Sequence, residues 1–331
     1  PSCAASAVVS SGSRTPTVYR YTATVQQRLS GGWEAQLAYV GARGNHLLRR
    51  YESNQFPAPI TRPDGSLFFP DDCAARRQAQ LEPSPLCREG AGTLNPAFGS
   101  IDFLGTDAQS FFNTFQVTAS RRVGQMFSLQ ASYTLSKSVD DDSGGNGNPQ
   151  FGPLRTLERG LSDYDIRHRL SLNYFFTPPV GGGQRWMRAL LAGWRLGGIT
   201  SYRSGSPSTL TVNVRTPGYL FTPRRPNLIA GESNNPIAGA TRGCLGVEFG
   251  QALGTPDRYF DPCAFENAVP GTLGTLGRNT VLGPSALNTD VSLQKDFALD
   301  AKRRLQVRME IFNLFNHPNF NRNSGATAVV F

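Results

Sequence analysis

The order of long and short connections constrains this chain more than any single motif does. Eight segments of two-residue periodicity succeed one another, near 19–29, 33–43, 113–122, 126–137, 165–177, 190–205, 286–299 and 303–315. Only Ser30, Gly31 and Gly32 separate the first two segments, which is hairpin spacing. Val123, Gly124 and Gln125 join the third and fourth, a glycine-rich run the fifth and sixth, and a turn at Asp300 the last two. Between these hairpins lie the long polar stretches 44–112, 138–164 and 206–285. Compact domains seldom carry loops beyond about 15 residues without structure of their own. Here all three leave the same end of an antiparallel meander.

The segments themselves have one dry and one wet face. In Phe127–Lys137, Phe127, Leu129, Ala131, Tyr133 and Leu135 alternate with Ser128, Gln130, Ser132, Thr134 and Ser136. In Arg304–Phe315, Leu305, Val307, Met309 and Ile311 oppose Gln306, Arg308 and Glu310. Ionisable groups are costly against lipid and ordinary in a wet lumen. Tyr19, Tyr21, Trp33, Tyr39, Tyr133, Tyr174, Trp186, Trp194 and Tyr202 lie towards segment ends, as interfacial aromatic girdles do. Tight turns at one end and long loops at the other are the asymmetry of outer-membrane barrels. The expected fold is therefore all-β, an antiparallel meander forming part of a transmembrane β-barrel. A soluble sandwich or propeller with one solvated face is the alternative.

Composition narrows the function classes. No window approaches 18 consecutive apolar residues, which excludes a transmembrane helix and leaves strands open. The net charge of +9 is spread along the chain, whose only lysines are Lys137, Lys295 and Lys302, so nucleic acid is not an expected partner. The chain starts at Pro1 without a signal peptide and reads as a piece of a longer precursor or a processed chain. Cys73 with Cys87 and Cys244 with Cys263 each enclose a short loop stretch and lack zinc-site spacing. Two loop disulfides in an oxidising compartment are the economical reading, leaving Cys3 over.

No catalytic, cofactor or metal site emerges. Asp163, Asp165, Arg167, His168 and Arg169 bring two carboxylates beside one histidine, too few for acid/base or metal chemistry. Strand register puts Arg167 and Arg169 on one face with Ser171 and Asn173. A luminal charge network of Asp163, Asp165, Arg167, Arg169, Arg308 and Glu310 is expected instead, with His168 on the other face near the membrane boundary. The run Asp140–Asn148 lacks the ligand order of a calcium loop and reads as a flexible acidic external loop.

Four ordered stretches, Arg159–Phe176, Leu190–Pro207, Leu276–Phe297 and Arg304–Phe320, closely resemble the C-terminal barrel of TonB-dependent outer-membrane receptors of the Oar-like type. Thr22–Leu47 resembles the preceding hairpin of that family. The resemblance implies about eight to nine strands of a wall of about 22 around a plug. It implies an outer-membrane location in a Gram-negative bacterium and active transport powered through TonB. The plug and the N-terminal regulatory-like domain are not recognisable in this chain, whose partners would be membrane lipid, the plug, the TonB system and an external substrate. Thr61–Leu104 and Pro217–Ala268 are the stretches expected to face substrate. After Phe320 only a short tail ending at Phe331 remains where the family pattern continues into a closing strand. A secreted adhesin or carbohydrate-binding module, and a self-contained eight-strand pore or enzyme, are the rival functions. As part of a wider wall, the chain is expected to form a curved open sheet or to close partly on itself.

Overall fold

In a computed structural model of the chain the described residues are 6–54, 60–64, 67–69, 71–72, 87–88, 101–144, 149–179, 192–212, 224–269, 271–300, 303–320 and 327–329. Eight long strands carry the fold: β1 (Thr17–Arg28), β2 (Trp33–Glu52), β3 (Ile101–Val123), β4 (Phe127–Asp140), β5 (His168–Phe176), β6 (Trp194–Arg203), β7 (Ala286–Ala298) and β8 (Arg304–Ile311). They pair in chain order as one meander whose edges are β1 and β8, so the sheet is open. A short strand, Ser6–Val9, runs parallel to the start of β3, and Gly160–Leu161 pairs with the end of β4. No described helix is long and apolar enough to cross a membrane.

Register sorts the side chains into horizontal rows. Val25, Leu37, Val117, Tyr133, Leu170, Tyr202 and Leu287 align across seven strands. The adjacent row is Gln26, Gln36, Thr118, Ser132, Ser171, Ser201 and Asn288. In a soluble protein the first row would be covered. Here Val25 is 65% and Leu37 45% exposed, while Thr114 and Ser138 of the polar face are 3% and 4% exposed. Among the described residues no second layer lies on the apolar face, which excludes the sandwich. That face is the lipid face, and the polar one faces the lumen.

The dry band has the height a membrane requires. From the row of Phe127, Phe176, Leu196 and Leu293 to that of Tyr21, Gly41, Asn113 and Lys137 is ten residues along β4. At roughly 3.3 Å per residue and a tilt of about 40°, this spans about 25 Å along the membrane normal. Two glycines on the lipid face make room for rings across the strand. A Cβ on Gly41 would collide with the Tyr21 ring, and one on Gly198 with the Tyr174 hydroxyl.

Two strands run far beyond their expected ends. Residues 44–52 and 101–112, expected as loop, continue β2 and β3 past the membrane band. The pairing slips between Gly44 and Leu47 and again between Leu47 and Arg49. His46 takes a positive φ of 56° at the first slip. Each bulge shifts the phase of the alternation, so a strict two-residue period loses the strand there.

The hydrophobic core lies in the third long loop, not under the sheet. Leu210, Val212, Ala264, Phe265, Leu276 and Val281 form it, with Leu228, Ile237 and Phe260 against them. A disulfide joins Cys244 and Cys263 in the same loop. The other expected pair lies outside the described residues at Cys73, as does Cys3.

Candidate functional site

The loop end of the sheet is closed by charge. Asp140 ends β4 and Asp141 follows it, at 2% and 4% exposure, so this part of the acidic run is not the flexible solvated loop its composition suggested. The reason is long-range pairing. Arg278 of the third loop bonds the Asp140 carboxylate, donates to the Asp140 carbonyl at 2.8 Å and donates to the Glu158 carbonyl at 2.7 Å. Asp141 accepts from Arg155 at 2.6 Å and from the Gln109 N–H at 2.9 Å.

A second pair locks the same two loops. Arg225 donates to Glu158 at 2.8 Å, with the two side chains 4% and 5% exposed. Gln150 completes it, accepting from Arg225 Nε at 2.8 Å and donating its N–H to Glu158 at 2.8 Å. Asn279 donates to the Leu161 carbonyl at 2.7 Å and to Asp163 at 2.5 Å. Buried charges survive only when partnered and hydrogen-bonded on this scale, so the third loop is held down on the second as a fitted cover. Gly160 sits under that contact; a Cβ there would meet the Arg278 carbonyl at 2.5 Å.

The wall is tied to the second loop through β2. Arg49, 3% exposed, forks onto Asp107 at 3.1 and 2.9 Å and donates to the Gly152 carbonyl at 2.5 Å. Beside this fork, between the extended ends of β2 and β3 and the segment around Arg14, opens a polar cavity of about 400 Å³. Arg14, His46, Tyr51, Asp107, Gln109 and Arg155 reach its wall. Burial raises the Tyr51 hydroxyl pKa, with the neighbouring Arg49 charge opposing. Tyr51 packs against the Phe103 ring and under the Arg49 guanidinium. A second concavity, of about 470 Å³, lies at the turn end of the luminal face, lined by Gln130, Asn173, Asp290, Ser292 and Glu310.

The six residues expected as one luminal network fall at two ends of the lumen. Asp163 accepts from Asn279 and lies 3.6 Å from Arg278. Asp165 is 3% exposed and accepts the Ser138 N–H at 2.5 Å. Burial raises its carboxyl pKa, opposed by that hydrogen bond and by the charges of Arg167 and Lys137. Arg169 pairs in the row of Thr134 and Arg203. Arg308 and Glu310 pair with each other at 3.5 Å, in rows next to the opposite, short-turn end. Alternation places a residue on a face but not at a height, so the expectation merged two ends of the lumen. His168 is on the lipid face, where its Nδ1 lies 2.7 Å from the Tyr133 hydroxyl.

Arg49, Glu158, Arg225, Arg278 and Asn279 were not singled out from sequence. One signal existed: Arg159–Phe176 and Leu276–Phe297, two of the stretches carrying the resemblance, are the ones that Asn279 clasps together.

Comparison with known proteins places the whole chain. The family model described as "Outer membrane beta barrel domain" matches residues 2–329. No curated protein matches. Among solved structures, the outer membrane transporter YddB from Escherichia coli is similar at 10% identity and a TM-score of 0.46, over 95% of this chain and 31% of that one. The chain thus spans about a third of the length of that transporter.

Proposed function

This chain belongs to the outer membrane β-barrel domain family, and from that premise we propose that it is the wall and substrate-facing part of a TonB-dependent active transporter. The protein resides in the outer membrane. The observation that carries the proposal is the cover clasped by Arg278–Asp140 and Arg225–Glu158. A general diffusion pore needs its mouth open; a receptor that admits cargo only when energised needs it roofed, with polar pockets at the rim.

In this reading a polar substrate meets Arg14, His46, Tyr51, Asp107, Gln109 and Arg155 at the mouth. The Ser, Thr, Gln and Asn rows of the lumen then offer a hydrogen-bonding surface to a plug and to passing cargo. The sheet's edges support a larger wall: β1 and β8 do not pair with each other, as a self-contained eight-strand barrel would require.

The test is uptake by cells carrying the intact protein, using labelled peptides, ferric chelates and oligosaccharides as probes. Uptake of one class should require the gene and stop when a protonophore is added or TonB is deleted. Gene-dependent uptake that survives both treatments, or a steady ionic conductance in planar bilayers, would refute active transport.

A further inference from the structure

The lipid face carries cations at both membrane boundaries, and the two boundaries treat them differently. Near the short-turn end Lys295 is 5% exposed, donates to the Ala192 carbonyl at 2.5 Å and lies over the Trp194 and Phe297 rings. Arg121 lies over Trp33. The protein itself accommodates the Lys295 charge.

At the loop end it does not. Tyr19, Arg43, Phe111, Val139 and Leu161 form one row of the lipid face, next to the row of Tyr21, Asn113 and Lys137. Arg43 lies over the Phe111 ring at 4.9 Å, and Arg159, arriving from the second loop, lies over the same ring at 4.7 Å. Two guanidinium groups therefore lie within about 10 Å of each other, with Lys137 in the next row of the sheet. All three are exposed, and none makes an ion pair among the described residues. The carboxylate nearest Lys137, Asp165, accepts the Ser138 N–H, and the Lys137 charge still reaches it. Below them Tyr21 and Tyr39 both donate to Asn113, at 3.3 and 2.8 Å, leaving two exposed rings at the edge of the dry band.

Height decides what meets these charges. The Arg43 row lies twelve residues along β4 from the Phe127 row. That is about 30 Å along the membrane normal, just past a dry band of about 25 Å. Like-charged guanidinium groups repel, so holding two on one ring is favourable when an anion sits between them. Arginine forks match phosphate oxygens bidentately.

We propose that Arg43, Arg159 and Lys137 form a docking site for the phosphorylated headgroup of an acylated lipid in the outer leaflet, with Tyr19, Tyr21 and Tyr39 against its backbone and upper chains. Arg43 belongs to the wall and Arg159 to the second loop, on which the cover is clasped, directly after the buried Glu158. One headgroup bridging them fastens that loop to the wall from the membrane side. The site needs only the lipid-facing geometry and stands whether or not the protein transports actively.

The experiment is lipid binding by the purified intact protein, read by native mass spectrometry and by thermal stabilisation in nanodiscs. The probes are bis-phosphorylated lipid A, its dephosphorylated form, phosphatidylcholine and inorganic phosphate. Lipid A should bind and stabilise. The triple variant Arg43→Gln, Arg159→Gln, Lys137→Gln should weaken binding at least about tenfold, and the luminal variant Arg308→Gln should not. Arg43→Lys with Arg159→Lys keeps the charge but not the bidentate fork and should bind between wild type and the triple variant, which separates loss of the site from loss of folding. Equal binding of dephosphorylated lipid A, full competition by inorganic phosphate, or unchanged binding by the triple variant would overturn the proposal.

Discussion

Replacing Arg278 by leucine removes the cation from a carboxylate that cannot reach water. Asp140 is 2% exposed in its side chain and Arg278 12%, and the guanidinium also holds the Asp140 and Glu158 carbonyls. Breaking such a pair from one side costs about 3–5 kcal/mol, much of it from the charge left behind. Because Arg278 keeps slight access to solvent, the lower figure of about 3 kcal/mol applies. The cost falls on the cover, since both loops can separate while strands β3, β4 and β5 stay paired. Opening of the third loop should then be favoured about a hundredfold, at 1.4 kcal/mol per factor of ten. Hydrogen exchange on the intact protein reads this directly. The amides of Leu276, Asn279 and Gly283, bonded to the Pro226 carbonyl, Thr209 and the Ser206 carbonyl, should lose protection. The amides of Ser132 and Ser171 in mid-sheet should not. Adding Asp140→Asn to Arg278→Leu should restore part of the protection, because a neutral amide costs less to bury than an orphaned charge. Unchanged exchange in the loop, or uniform loss across the sheet, would refute the clasp as the device that holds the cover.

Three further outcomes follow from the same structure. Asp165→Asn keeps an acceptor for the Ser138 N–H and removes a charge whose ionised form burial disfavours. A raised carboxyl pKa costs stability above the folded value, and that cost disappears as pH falls through it. The variant should therefore melt higher than wild type at neutral pH, and the difference should shrink on acidification; a growing difference would contradict the sign. Val117→Arg, mid-band on the lipid face, should cost about 2–4 kcal/mol of folding stability in phospholipid vesicles, whereas Thr118→Arg on the luminal face should cost far less. The reverse order would invert the faces. Reducing Cys244–Cys263, which spans 19 residues, should loosen the third loop by about 3 kcal/mol and leave strand protection unchanged in exchange experiments.

The parts of the fold legible in the sequence are those whose causes are local. Val25, Leu37, Val117 and Tyr133 sit on the dry face because alternation is a property of one strand, and Ser30, Gly31 and Gly32 make a turn because their own backbone permits it, with Gly31 and Gly32 at φ of 71° and 75°. The extensions of β2 and β3 were hidden because bulges at His46 and beyond reverse the phase. The charges were hidden for another reason. Asp163 and Arg308 share a face by parity, yet only pairing through β6 and β7 shows that one ends near the cover and the other near the turns.

By itself the sequence determined that eight ribbons would each have a greasy and a wet side, and that their long connections would gather at one end. Only the tertiary structure decided which charges meet: Asp140 and Arg278 lie 138 residues apart, and no local pattern links them. The greasy side is dictated by the water each residue would avoid, whatever its neighbours. A buried ion pair depends on two distant segments arriving at one place with their charges already desolvated, and that exists only once the loops have closed over the sheet.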